Sequence, residues 1–212
     1  MGYGVDMETS APLLGEPLPV ELMNTLWADR AGVHDALEGP GAAAAWLRAV
    51  GPRLTAPADD LHLGPGVLAD PDRLGPQLQQ LRDALRRLAA EATGDPRPAA
   101  VRATGLAEAL AAVNRAARAA PSWSALTWDP GDEPRRLART RGPAGAAALS
   151  ALAEDAIALL AGTGRHELRA CLAPGCVLYF LKAHPRREWC SAACGNRARG
   201  ARHYQRHHGT TP

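Results

Sequence analysis

Cys171, Cys176, Cys190 and Cys194 are the only cysteines in the chain, and all four fall in its last fifth. Their spacing, C-x4-C-x13-C-x3-C, gives two close pairs joined by a short basic stretch. Thiolates are soft ligands, and two such pairs can close a tetrahedron around one Zn²⁺. Two disulfides would use the same residues. The opening MGYGVDMETSAPLLGEP, however, has neither the basic nor the apolar region of a secretory leader, and an intracellular thiol cluster favours metal. Four thiolates leave no open coordination position, so one structural Zn²⁺ is expected rather than a catalytic one. His203, His207 and His208 stand close by in sequence, but a complete cysteine set does not need them as ligands.

Charge is segregated along the chain. Residues 165–212 hold nine Lys and Arg against two acids, whereas residues 1–164 hold fifteen against twenty. A basic end of this kind suits a polyanionic partner. After Cys194 the chain reads GNRARGARHYQRHH. At 100° per residue, Arg199, Arg202 and Arg206 fall within about 60° of one another on a helix. Arg197 points elsewhere, back towards the cysteines. Such a stripe can lie along phosphates, and Arg186 and Arg187, in the turn between the cysteine pairs, can add to it. Asn196 and Arg197 allow two roles: reading bases, or a structural one in which Asn196 bonds the metal loop and Arg197 braces a carboxylate of the helical domain. The direction of Arg197 favours the structural role.

The elements that must hold these residues are mainly helical. Ala and Leu dominate the apolar composition, while β-branched and aromatic residues are scarce. Residues 1–16 read as a disordered lead-in. Leu18, Leu22, Met23, Leu26 and Trp27 then recur at helical spacing, and a short helix spans Ala42 to Val50. Residues 52–72 are rich in Pro, Gly and Asp and read as a loop. Leu74, Leu78, Leu81, Leu85 and Leu88 stripe a long helix ending near Thr93 and Gly94. A second, beginning after Pro98, sets Leu106, Leu110, Val113 and Ala117 on one face. Alternation from Trp123 to Trp128, the turn DPGDEP and a return over Arg135–Arg139 predict a β-hairpin. A third long helix runs from about Pro143 to Ala161. No apolar run reaches the ~20 residues of a bilayer span, so a cytoplasmic protein without membrane contact is expected.

The last 45 residues have too few large apolar groups for a core of their own. Zinc in finger peptides supplies roughly 10–16 kcal/mol of apparent binding energy, which becomes folding energy. Cys171 and Cys176 flank a turn at APG, Val177–Leu181 reads as a short buried strand, and Cys190 and Cys194 open the last helix. The expected fold is therefore an α-helical amino-terminal domain over residues 17–164 with a small β-hairpin. A treble-clef-like finger over 165–208 and a tail over 209–212 follow.

WCSAACGNRAR, Trp189 to Arg199, together with the upstream C-x4-C, resembles the CGNR zinc finger family, named for the tetrad Cys194-Gly195-Asn196-Arg197. In that family the finger follows a helical domain called ABATE, and members are regarded as stress-induced transcription regulators. Leu22-Met23-Asn24-Thr25, then Arg30 and Trp46-Leu47, is similar to the opening of that domain. The resemblance implies Cys171, Cys176, Cys190 and Cys194 as zinc ligands and Asn196 and Arg197 as the family-defining pair. Members often have four residues between the last two cysteines, where this chain has the three of SAA.

Two readings of function follow. The leading one is a transcription regulator that binds DNA through Arg186, Arg187, Arg199, Arg202 and Arg206. In it, a small-molecule effector site is built from Asn24, Thr25, Trp27 and Arg30, with His34 and Asp35 beside them. The other is an adaptor whose finger binds RNA or protein. Asn24 and Thr25 have a plainer alternative in bonding to backbone, and Trp27 in the core. No G-x-S-x-G, Walker A or H-E-x-x-H occurs, so an enzyme is not expected.

Overall fold

The structure, a computed structural model, describes residues 11–54, 71–97 and 105–208. It is mainly helical, with three two-stranded antiparallel sheets. The expected loop at 52–72 lies largely outside the described residues, as do residues 1–10, 98–104 and the tail over 209–212. Residues 11–16, expected within a disordered lead-in, are instead ordered against the body. Glu16 is buried, and its backbone N–H donates to the buried Glu21 carboxylate at 2.8 Å.

Helix α1, Leu18–Met23, is buried along its whole length. It does not continue through Trp27, as its spacing suggested. The chain turns at Asn24 and Thr25, and Leu26–Ala28 (β1) pairs with Val33–Asp35 (β2). The Asp29 carboxylate explains the break, accepting the N–H groups of Ala31 and Gly32 and so building the hairpin turn. Helix α2, Ala42–Val50, has the expected bounds, and a 3-10 turn over Gly51–Arg53 follows it.

Helix α3, Pro71–Thr93, carries the leucine stripe, and all five leucines are buried. Helix α4, Leu106–Ala117, packs on α3 through a different face from the expected one. Ala109, Ala112, Val113 and Ala116 are buried, while Leu106 and Leu110 are exposed. Small side chains let the two helices approach closely, and the leucine period hid that option. The expected β-hairpin forms from Ser122–Thr127 (β3) and Arg135–Thr140 (β4).

Helix α5, Ala144–Ala161, has 18 residues and is long and apolar enough by composition to cross a membrane. It packs against α1, α3 and α4, burying Leu149, Leu152, Ala153 and Ala156 in the main core. The final segment contains Leu168–Ala170 (β5) paired with Tyr179–Leu181 (β6), then α6, Ala192–His208. Leu168 and Tyr179 are almost wholly buried and belong to the core of the helical body. Burying large side chains of this kind contributes roughly 1.5–3 kcal/mol each. The finger's strands therefore draw on the helical body for their core.

Candidate metal centre

Two loops bring the four sulfurs together. Cys171 follows β5, and the Cys176 N–H donates to the Ala173 carbonyl at 2.9 Å, closing the turn. Gly175 sits in that turn at φ +73°, a conformation that side-chain-bearing residues rarely adopt. Cys190 lies just before α6 and Cys194 within its first turn, so the two point to one side. The sulfurs all lie within 4.8 Å of one another, and all four cysteines are buried.

The donor set fits zinc. A tetrahedron with Zn–S bonds of about 2.3 Å has edges of about 3.8 Å. Cys176 and Cys190 Sγ are 3.8 Å apart, and Cys190 and Cys194 Sγ 3.4 Å. None of the four is in a disulfide. The three-residue spacing between the last two cysteines thus still brings Cys194 to the cluster. Four sulfurs at these distances can hold one structural zinc ion and leave it no vacant position. Among the described residues no histidine joins the group, and His203 is exposed.

Electrostatics of the sulfurs points the same way. Hydrogen bonds from Cys176 and Cys190, with backbone N–H help, hold the Cys171 thiol down to about 2. The neighbouring Cys171 sulfur in turn pushes Cys176 up to about 12 and raises Cys190 as well. Such a cluster takes one negative charge readily and resists the next, a conflict that a divalent cation removes.

The tetrad Cys194-Gly195-Asn196-Arg197 has a physical role at each position. Cys194 supplies a sulfur. Gly195 is buried against Trp189, and an added Cβ would sit 3.1 Å from that ring. Asn196 accepts a hydrogen bond from Arg199. Arg197 donates to Cys194 Sγ at 3.1 Å, so its charge faces a sulfur rather than a carboxylate of the helical body.

The arginines expected to meet phosphates divide into two groups. Arg199, Arg202 and Arg206 line one shallow trough on α6 with His203. Arg202 also lies 5.7 Å from the Trp189 ring centre. Arg186 is exposed in the turn between the cysteine pairs. Arg187 is turned inward. It pairs with Glu16, donates to the carbonyls of Leu181 at 3.0 Å and Cys190 at 3.1 Å, and covers the Phe180 ring. Its guanidinium braces the finger from within, where a phosphate would have to displace Glu16.

The four residues expected to form an effector site do not surround one cavity. Asn24 is fully buried and exchanges two hydrogen bonds with the Tyr179 backbone on β6. Thr25 bonds the Leu22 carbonyl. Trp27 stacks on His34 with ring centres 4.4 Å apart, and Arg30 is exposed beyond β1. A cleft of about 940 Å³ does open nearby, between β2 and α2, lined by Val33, His34, Asp35, Glu38 and Trp46 among others. Asn24, Thr25, Trp27 and Arg30 do not line it, but His34 and Asp35, expected beside them, do.

The residues that sequence reasoning missed are those that dock the finger. Arg97 forms a two-pronged ion pair with Asp95, and its Nη1 donates to the carbonyls of Cys176 at 3.0 Å and Cys171 at 3.2 Å. Arg86 joins the Met23 carbonyl at 2.9 Å to that of Val177 at 3.0 Å. Both guanidinium groups lie over the Tyr179 ring, whose hydroxyl donates to Asp95 at 2.7 Å. Burial alone would raise Asp95, but hydrogen bonds from Arg97 and Tyr179 outweigh it and hold the carboxyl below its ordinary value. Glu16 completes the contact by accepting the Leu181 N–H at 3.0 Å. A faint signal existed in Arg82 and Arg86, four apart on the flank of the leucine stripe, where both are buried.

Residues 16–163 match the model of the ABATE family, described as "Putative stress-induced transcription regulator", and residues 167–207 match that of the CGNR zinc finger. No curated protein matches the chain.

Proposed function

Because the chain belongs to the ABATE family and carries a CGNR zinc finger after that domain, we propose that it regulates transcription by binding duplex DNA through the finger. The observation that carries this reading is the continuity between the cysteine cluster and the arginine face. Cys194 lies in the first turn of α6, and Arg199, Arg202 and Arg206 follow on one side of the same helix.

In this reading Cys171, Cys176, Cys190 and Cys194 hold one Zn²⁺, and Arg197 stabilises the negative charge on Cys194. The ion supplies a rigid anchor for α6. Arg186, Arg199, Arg202 and Arg206 neutralise phosphates, while Arg187 keeps the finger closed on Glu16. The protein works in the cytoplasm, and its metal, enclosed by four thiolates, is structural rather than catalytic. The cleft between β2 and α2 is the place for a small effector, since it is open whereas Asn24 and Thr25 are committed to backbone.

Selection from random duplex DNA at near-physiological salt tests the reading. Enrichment of a defined sequence is expected. Uniform weak retention of all sequences would contradict it and favour an adaptor that binds RNA or protein.

A further inference from the structure

The β3–β4 hairpin carries the most exposed apolar groups among the described residues. Leu126 is 73 % exposed and Trp128 67 %. Leu126 lies in β3 directly across from Arg136, and Trp128 follows the strand with its indole N–H donating to the Asp132 carbonyl at 3.0 Å. Trp123 is also exposed, at 46 %, on the face of β3 opposite Leu126, and Arg141 lies 5.7 Å from its ring centre. Among the described residues the ribbon has two strands, and no further strand pairs with either outer edge.

Its acids all lie at the tip, bordered by Arg135 and Arg136, whereas the charged residues of the root are Arg139 and Arg141. The tip carries Asp129, Asp132 and Glu133, while β4 and the residue after it carry Arg135, Arg136, Arg139 and Arg141 with no acid. An acidic tip disfavours a polyanion as the ligand of this ribbon. It suits a second copy turned end for end. A two-fold axis near the Ala125–Leu137 pair lays one acidic tip beside the partner's Arg139 and Arg141, and the symmetry makes the same contact twice. Leu126 falls near the middle, and Trp128 lies beside the acidic tip.

We propose that two copies of this chain associate through their β3–β4 hairpins. The hairpin roots lie before α5 and the finger follows it, so the interface and the metal centre are at opposite ends of that 18-residue helix. At 1.5 Å per residue the helix is about 27 Å long, which leaves both fingers of the dimer clear of the contact. The proposal does not depend on what the fingers bind.

Sedimentation velocity of the full-length, zinc-loaded chain across the micromolar range tests it. The expected result is a concentration-dependent dimer, and a monomer throughout would overturn the proposal. Trp128→Lys combined with Leu126→Lys alters only exposed positions and should give a folded monomer with full zinc content. Persistence of the dimer in that variant would place the interface elsewhere and overturn it too. A charge exchange separates fold defects from lost recognition. Reversing the tip (Asp129→Lys, Asp132→Lys, Glu133→Lys) or the root (Arg139→Glu, Arg141→Glu) should weaken self-association in each case. Mixing the two variants should restore a heterodimer, and failure to do so while both remain folded would contradict the two-fold arrangement. Hairpin variants that leave the oligomeric state unchanged and lose only DNA retention would overturn the proposal and assign the ribbon to nucleic acid.

Discussion

Asn24 and Tyr179, 155 residues apart, exchange a pair of 2.9 Å hydrogen bonds: the Asn24 amide donates to the Tyr179 carbonyl, and the Tyr179 N–H donates to Asn24 Oδ1. A single amide side chain thus serves β6 as a neighbouring strand would. Because both partners are fully buried, nothing else can satisfy the Tyr179 backbone if Asn24 is lost.

Asn24→Leu should therefore destabilise the chain by about 2–5 kcal/mol, the cost of two unsatisfied buried backbone groups. Chemical denaturation monitored by tryptophan fluorescence measures it. Thr25→Val, which removes one local bond to the Leu22 carbonyl, should cost about 1 kcal/mol. Equal effects from the two substitutions would remove Asn24 from its special place.

Asp95 gives this docking contact a pH dependence. Its folded-state carboxyl lies below the ordinary value, so it stabilises the fold above pH ~4, and that contribution disappears as pH falls through the lower folded value. The stability difference between wild type and Asp95→Asn should be largest near neutrality and close in acid. Comparing the two proteins cancels the acid loss of metal that both share. Tyr179, raised to about 12 by burial and by the Asp95 carboxylate, remains a donor throughout this range.

Arg197→Ala removes the only guanidinium bonded to a sulfur of the cluster among the described residues. Loss of such a partner typically weakens metal affinity by about 10–100-fold. Competition against a chromophoric chelator measures it, and Arg197→Lys should recover part of the loss. Unchanged affinity in Arg197→Ala would leave that arginine available for another task.

Arg202→Gln and Arg206→Gln should each reduce the log–log salt slope of DNA binding by about 0.9 if each neutralises one phosphate. Arg187→Gln is expected to behave differently, lowering stability by stranding the buried Glu16 carboxylate while leaving the slope unchanged. A change of slope in Arg187→Gln and none in the others would reverse the assignment.

Much of this was legible from residue type and spacing. The cysteine pattern located the metal centre, because a tetrahedral ion imposes a spacing that little else requires. The leucine stripe of α3 and the turn at DPGDEP gave their elements, since each rests on local periodicity or local turn chemistry. Where the reading failed, either a competing local signal or a partner distant in sequence decided. Helix α1 stops before Leu26 because Asp29 organises a turn, and Leu106 faces solvent because alanines pack α4. Arg86, Arg97 and Glu16 carry charge, which reads as surface, and only the fold shows them gripping the carbonyls and N–H groups of the finger. Arg187, expected at phosphates, is engaged with Glu16 and the finger's carbonyls in the same way.

The central claim is that one zinc ion, held by Cys171, Cys176, Cys190 and Cys194, closes the finger that the helical body grips. Metal analysis of the purified full-length chain, paired with hydrogen exchange before and after chelation, tests it most directly. The account predicts one zinc per chain and, after chelation, loss of amide protection over Cys171–Arg199 while α3 and α5 remain protected. A chain purified without stoichiometric metal, or one whose carboxy-terminal amides stay protected after the metal is removed, would contradict it.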